Sequence, residues 1–287
     1  MKVAVIGSNG QLGADLVEVF AARHEVVQLT HHDMDVARAE SVREVLGRIR
    51  PDVVLNTAAA HHVPKCEEDP IHAYLVNGIG PLNLARISSQ QGFRLVHYST
   101  DYMFDGSKRK PYIETDSVKP LNVYGATKSI GETYLLNYSE YGYVIRISGI
   151  YGKVPCRAKG GNFVTTMIKL AAEKPEVKVV TDEILTPTGT IEIAKNTLFM
   201  LENDASPGIY HMTAQGESSW FEFASVIFSV LNLKTPLLGT TVATMPSPVK
   251  RPFYSVLENK NLKNQGLDRM PHWRDSIENY LWEKYLG

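Results

Sequence analysis

The sequence is short of cysteine, of net charge and of long apolar runs, and each shortage excludes something. Its 287 residues include two cysteines, Cys66 and Cys156, ninety positions apart. With no Cys-x-x-Cys and no spaced framework, a disulfide scaffold is excluded, a structural metal is argued against, and a reducing compartment such as the cytoplasm is expected. A net charge of −1 offers no basic footprint for nucleic acid and no acidic tail. No apolar run is long enough to span a bilayer. The first, residues 3–6, is broken at once by Gly7, Ser8, Asn9 and Gly10, so it does not read as a targeting signal. Internal repeats and low-complexity segments are also missing. What is present is 44% hydrophobic sequence, enough to bury a full core as one large domain or one and a half ordinary ones.

The chain opens on a β-branched run over residues 2–6, then GSNGQLG, then an amphipathic stretch to residue 23, which reads as strand, turn and helix. In that unit Gly7 permits the tight turn, Gly10 lets the backbone approach a pyrophosphate, and Gly13 lets the helix lie close on the strand. Residues 26–29 read as a second strand. Its end, where a dinucleotide fold usually carries a ribose-binding acid, holds Thr30, His31 and His32. Neither an acid nor an arginine stands there, so NADH and NADPH both remain open. The two histidines read as a solvated turn, since no third ligand is near. Asp35, before a helix over 39–50, is either a helix cap or an adenine contact.

Residues 53–56 form a third strand running into Thr57, Ala58, Ala59 and Ala60, small enough for a flat cofactor to approach the backbone. A long helix over 70–91 carries Asn77, and a fourth strand over 93–98 delivers Ser99 and Thr100 at its carboxyl end, where open α/β sheets bind ligands. A helix over 122–138 and a fifth strand over 144–147 complete an alternation that predicts an α/β fold with a doubly wound parallel Rossmann sheet. Beyond residue 151 the pattern loosens. A polar loop KVPCRAKGG, a helix over 162–173, a strand over 177–180, a helix over 189–202, a strand over 208–212 and a helix over 219–231 follow. A proline-rich loop over 244–253 and a last helix over 273–285 end the chain. We expect a dinucleotide-binding domain over 1–152 plus about 177–206, and a smaller, discontinuous substrate lobe over about 153–176 and 207–287.

The chemistry is expected at Thr100, Tyr124 and Lys128. Tyr124 and Lys128 are four apart and share a helix face. Alone, Tyr-x-x-x-Lys reads more readily as an ordinary surface pair, and the motif needs its context. A cation about 6 Å from the phenol, at an effective dielectric of about 20, would favour phenolate by about 3 kcal/mol, roughly two pKa units. That would make Tyr124 a proton donor usable near neutrality.

Six segments carry a resemblance over nearly the whole length: GSNGQLG at 7–13, RPDVVLNTAAA at 50–60, STDYMFDG at 99–106, PLNVYGATKSIGE at 120–132, GGNF at 160–163 and RPFYSVLENKNL at 251–262. With these the chain resembles the extended short-chain dehydrogenase/reductases, and within them the dTDP-4-dehydrorhamnose reductase family. The resemblance implies NAD(P)H-dependent reduction of the C4 keto group of a nucleotide-linked deoxysugar, with Thr100, Tyr124 and Lys128 catalytic. It places Gly7, Gly10, Gln11, Leu12, Gly13, Asp35, Val36, Ala58, Ala59, Ala60 and Asn77, with Tyr124 and Lys128, against the cofactor. Val63, Tyr102, Asn162 and Arg251, with Thr100 and Tyr124, fall near the sugar nucleotide. It also leaves room for a homodimer.

The chain departs from that pattern in three places. Gly149 stands where the family commonly has a tryptophan over the sugar. Pro64 stands where it usually has an aspartate. Some members bind magnesium through carboxylates between subunits; Asp15 fits the first such position, but residue 191 is isoleucine and the acid is at Glu192, so no metal is assigned. Two alternatives follow from related folds: an NADP-binding regulatory subunit resembling the methionine adenosyltransferase beta subunit, or a nucleotide-sugar epimerase or dehydratase. The second is disfavoured because Thr100 is followed by Asp101 and Tyr102 rather than by two acids.

Overall fold

The computed structural model describes residues 1–156, 160–245 and 247–287. The expected polar loop after residue 152 and the proline-rich loop near 246 therefore fall partly outside the described residues. Unbroken apolar strands need cover on both faces, and this is how the first half is built. β1 (Lys2–Ile6) is followed by α1 (Gln11–Ala21), β2 (Glu25–Leu29), α2 (Ala39–Ile49) and β3 (Val53–Asn56). Next come the short helices α3 (Val63–Glu68) and α4 (Pro70–Tyr74), a π-turn at Leu75–Ile79, α5 (Gly80–Gln91) and β4 (Arg94–Thr100). α6 (Val123–Tyr138) and β5 (Gly142–Ile147) complete the alternation. Arg50 and Gly92 end α2 and α5 in the left-handed conformation.

The second half adds β6 (Ile150–Tyr151), α7 (Phe163–Glu173), β7 (Val177–Val180), β8 (Ile184–Leu185), β9 (Thr188–Gly189) and α8 (Thr190–Glu202). It continues with β10 (Gly208–His211), β11 (Ser218–Ser219), α9 (Trp220–Val230), β12 (Leu237–Thr240), α10 (Lys260–Asn264) and α11 (Trp273–Leu281). Two helices are fixed by reciprocal caps. Asn162 and Thr165 start α7, and Ser219 and Glu222 start α9.

The central sheet runs β10-β5-β4-β3-β1-β2 with every pairing parallel. One face is covered by α1 and α8 through Leu12, Leu16, Phe20, Ile193, Ala194 and Leu201. The other is covered by α2 and α5 through Val42, Leu46, Leu84 and Ala85. β1 lies between β2 and β3, so the strand order reverses there and opens a crevice at the carboxyl ends.

Two strands sit on the other side of the expected lobe boundary. β10 pairs with β5 and buries Tyr210 in the sheet core, whereas β7 pairs with β12 and buries Val177 and Val179 with α7, α9 and α11. We therefore place 208–211 with the sheet and 177–180 with the smaller lobe. The long helix expected over 70–91 is one path with a π-turn inserted at residues 75–79. α6 packs closely on this turn: a Cβ on Gly131 would lie 2.1 Å from the carbonyl oxygen of Asn77.

Two glycines make opposite predictions. A Cβ on Gly13 would lie 2.1 Å from the Gly7 carbonyl oxygen, so Gly13→Ala must push α1 off β1. It should cost about 1–3 kcal/mol and lower the thermal midpoint. Gly47, inside α2, has its nearest outside atom 4.0 Å away. Gly47→Ala should therefore stabilise by about 0.4–1 kcal/mol. A thermal scan showing the same sign for both refutes the packing argument.

Candidate functional site

The turn after β1 leaves the first backbone donors of α1 uncapped. Gly7 adopts φ +75, and a Cβ there would lie 2.5 Å from Thr57 Oγ1, so only glycine fits. Its N–H donates to Leu29 O at 2.8 Å, and Thr57 Oγ1 donates to Ile6 O at 2.7 Å, tying the ends of β2 and β3 to β1. α1 begins at Gly10 with no side-chain cap and no acid in its first turn. Its first N–H groups therefore point unneutralised into the crevice, where a pyrophosphate would complete them. Gln11 is buried with Oε1 unpartnered, Ser99 Oγ at the end of β4 is likewise unpartnered, and Leu12 packs into the core.

The small-residue wall is held from behind. Asn77 is fully buried, and its Oδ1 accepts from Ala60 N at 2.9 Å while its Nδ2 donates to Ala60 O at 2.9 Å and to Thr127 Oγ1 at 3.1 Å. Its amide is spent on fixing the Ala60 backbone. Ala58 N donates to Asn56 Oδ1 at 3.1 Å, and Ala58, Ala59 and Ala60 are half-buried. Asp35 is not the cap of α2, which starts at Arg38. Its Oδ1 accepts from Ala37 N at 3.0 Å in a local turn. Val36 is buried, and its carbonyl accepts from Asn83 Nδ2 at 3.0 Å. Thr30 N and Oγ1 both donate to Asp33 Oδ2, at 2.8 and 2.7 Å, which closes the turn carrying the exposed His31 and His32.

β4 runs two residues further than expected, so Thr100 is its last residue, buried against Asp101. Thr100 Oγ1 donates to Asp101 Oδ1 at 3.1 Å, and Asp101 Oδ2 accepts from Ser148 Oγ at 2.9 Å and Ser255 Oγ at 2.6 Å. Burial raises the Asp101 carboxyl, and those hydroxyls pull it back. Tyr124 lies in the first turn of α6, which Asn122 caps by accepting from Gly125 N at 2.9 Å. The Tyr102 ring stands edge-on to it at 5.8 Å.

The expected effect of Lys128 on Tyr124 is not what the structure shows. Burial pushes the phenol well above its ordinary value; a hydrogen bond with Thr100 lowers it in part, and the charges of Asp101 and Cys66 raise it. Lys128 shares the helix face, but its stem runs down to β4, where Nζ donates to Tyr98 O at 2.6 Å and lies 2.9 Å from His97 Nε2. The amine is itself desolvated, which pushes it down to about 7 although Glu132 acts the other way. It therefore carries only part of a positive charge at neutral pH, and its amine is turned to β4 rather than to the phenol.

The remaining expected residues are dispersed. Val63 is buried as the first residue of α3, and Pro64 follows in the first turn, where a missing N–H costs nothing. Asn162 is committed to its cap and to Gly152 O at 3.1 Å, while Arg251 is exposed and lies close enough to Tyr102 to bear on its phenol. Gly149 has φ +54, and a Cβ there would lie 2.7 Å from Leu185 Cδ1 and 3.2 Å from Pro187 Cα, so the β8 to β9 segment already fills that side. Asp15 is buried and accepts from Thr190 Oγ1. No group of three metal-ligating side chains occurs among the described residues. Among the same residues, no helix is long and apolar enough to cross a membrane. Sequence reasoning passed over Asp101 as a site residue, and also the buried pair Asn56 and His97, of which His97 contacts Lys128. The available signal was a titratable residue inside the apolar run of β4.

A family model described as the RmlD substrate binding domain matches residues 1–286. The spore coat polysaccharide biosynthesis protein SpsK of Bacillus subtilis is 39% identical, covering 99% of this chain and 98% of that protein. The dTDP-4-dehydrorhamnose reductase of Burkholderia thailandensis is 36% identical, covering 96% and 97%. The crystal structure of dTDP-4-dehydrorhamnose reductase from Bacillus anthracis in complex with NADP superposes with a TM-score of 0.93 at 34% identity, covering 98% and 99%.

The displaced Lys128 value has a measurable consequence. Between about 7 in the folded state and the ordinary value of about 10.4, the unfolded chain binds a proton that the folded chain does not, so unfolding free energy rises with pH. Below that window both states hold the proton. Relative to Lys128→Met, the wild-type protein should gain about 1.4 kcal/mol for each pH unit climbed above 7. Urea midpoints compared between neutral and alkaline pH test this. A constant difference between the two proteins contradicts the burial argument.

Proposed function

The chain belongs to the dTDP-4-dehydrorhamnose reductase family, and we propose that it reduces the C4 keto group of a nucleotide-linked deoxysugar. The leading substrate is dTDP-4-dehydro-L-rhamnose, giving dTDP-L-rhamnose. The observation that carries this reading is the Thr100–Tyr124 pair at the carboxyl end of β4, in the same crevice edge as the uncapped start of α1. The cofactor, NADPH or NADH, supplies the hydride. The first-turn N–H groups of α1 take its pyrophosphate, and Ala58, Ala59 and Ala60 line its path. Lys128 meets the nicotinamide ribose.

The raised phenol suits the direction of reduction. A tyrosine held above its ordinary value carries its proton throughout the neutral range, and the alkoxide that develops at the sugar is a stronger base than phenolate. Tyr124 therefore donates downhill, and the Thr100 hydroxyl hydrogen-bonds the same oxygen as charge builds on it. The family resemblance puts Tyr102, Arg251, Val63 and Asn162 near the sugar nucleotide, and the exposed Arg251 beside Tyr102 supports this for that pair. At Gly149, where the family commonly has a tryptophan, Leu185 and Pro187 leave no room for a side chain. The low cysteine count supports a cytoplasmic location.

The test is a panel of thymidine- and uridine-linked 4-keto sugars offered with NADPH and NADH, followed by loss of reduced-nicotinamide absorbance. Turnover should be confined to thymidine-linked sugars. Because the end of β2 offers neither acid nor arginine, the two cofactors should differ by less than about a hundredfold, roughly 2.7 kcal/mol. Cofactor binding without turnover of any keto sugar would point to the regulatory-subunit reading instead. Tyr124→Phe should keep its fold and bind cofactor within a few fold, yet lose at least about a hundredfold in rate at saturating substrate. Retention of most of the rate would reduce the phenol to a packing residue.

A further inference from the structure

His97 sits in the middle of β4, fully buried, with Asn56 of β3 as its register partner. A chain of hydrogen bonds runs through it. Ala58 N donates to Asn56 Oδ1 at 3.1 Å, Asn56 Nδ2 lies 3.0 Å from His97 Nδ1, and His97 Nε2 lies 2.9 Å from Lys128 Nζ. Lys128 Nζ in turn donates to Tyr98 O at 2.6 Å. The first bond settles the direction of the rest. A backbone N–H can only donate, so Asn56 must turn its oxygen toward Ala58 and its NH₂ toward His97. Nδ1 of His97 is then an acceptor, and a neutral imidazole carries its proton on Nε2, facing Lys128.

Lysine as ammonium has three donors and no acceptor. Two donors would then face each other at 2.9 Å inside a buried site. The arrangement is satisfied only when Lys128 is a neutral amine, accepting from Nε2–H with its lone pair and donating to Tyr98 O. The other groups that bear on the pair do not change this balance. Glu132, one turn on along α6, favours the ammonium but is engaged by Arg146 of β5, with contacts of 2.7, 3.0 and 3.2 Å. Tyr124, one turn back, is held in its protonated form, and β3 contributes only the uncharged amide of Asn56.

We propose that His97 is a positioning residue that holds Lys128 as a neutral amine in the free protein, so that cofactor binding draws one proton from solution onto Lys128. This deepens the reading above and rests on Lys128 meeting the cofactor. A dinucleotide brings a doubly charged pyrophosphate into the crevice and ribose oxygens that accept hydrogen bonds, and both favour ammonium. The proton adds to the Lys128 lone pair. His97 then loses its acceptor and breaks its bond to Lys128, because Nδ1 already accepts from Asn56, so the imidazole opposes each loading event by the cost of a buried hydrogen bond.

The experiment is calorimetric titration of the full chain with NADPH at about pH 8, in buffers of different ionisation enthalpy. The dependence of the observed heat on that enthalpy counts the protons taken up. The wild-type protein should take up close to one proton, and Lys128→Met close to none. His97→Gln, whose amide can turn its oxygen toward the ammonium, should bring the count near zero. So should Asn56→Asp, which accepts from Nδ1–H and reverses the chain, and it guards against misfolding of the first variant. Binding without proton uptake overturns the inference while leaving the reductase reading standing. So does an unchanged count in both His97→Gln and Asn56→Asp, or uptake that persists in Lys128→Met. Failure of NADPH to bind the wild-type protein overturns both.

Discussion

A helix pressed onto a carbonyl group governs the geometry of this protein. α1 approaches β1 so closely that the Gly7 carbonyl occupies the space a side chain at residue 13 would need. That approach aims the start of α1 at the carboxyl ends of β1 and β3, and Thr57 locks the two strand ends together with bonds to Ile6 and Gly7. α8 then packs beside α1 on the same face, drawing the second half of the chain under the sheet. The cradle depends on this contact directly, and the alanine wall is joined to it through Thr57, with Asn77 holding Ala60 from behind.

Much of this was legible. The strands of a doubly wound sheet are buried on both sides, so their apolar runs stand out, and Asn122, Asn162 and Ser219 announce the helices they cap. What escaped was tertiary. Nothing in the residues 177–180 or 208–211 says which of two sheets each joins, since both are short and apolar and the choice is made by the neighbour. The π-turn is invisible to periodicity because one added residue in a turn leaves the apolar pattern on either side of it helical. Spacing showed correctly that Tyr124 and Lys128 share a face, but not how far the lysine stem would reach. Its amine ends on a strand carbonyl, and the electrostatic gift to the phenol disappears.

The late RPFYSVLENKNL segment gains a physical meaning from the polar core. Ser255 donates to Asp101, the Asn259 amide holds both backbone groups of Thr213, and Asn261 N donates to Glu114 Oε1, which also accepts from His211 N. Beneath them Arg146 and Glu132 form a buried pair with the guanidinium against the Phe104 ring. Removing one partner of such a pair typically costs about 3–5 kcal/mol. The segment therefore braces Asp101, the residue after β4, through Ser255, and ties β10 to the lobe through Asn259 and Asn261.

The position of β10 has a consequence for how the chain is made. β5 is buried along its whole length, yet the strand that covers its outer edge comes from residues 208–211, after α7, β7 and α8 have been synthesised. A growing chain that has completed β5 therefore carries an open, apolar sheet edge through more than sixty further residues of translation. Unpaired edges of this kind recruit strands from other chains. The interval between emergence of β5 and arrival of β10 is thus the stretch of synthesis in which that edge stands open to other chains.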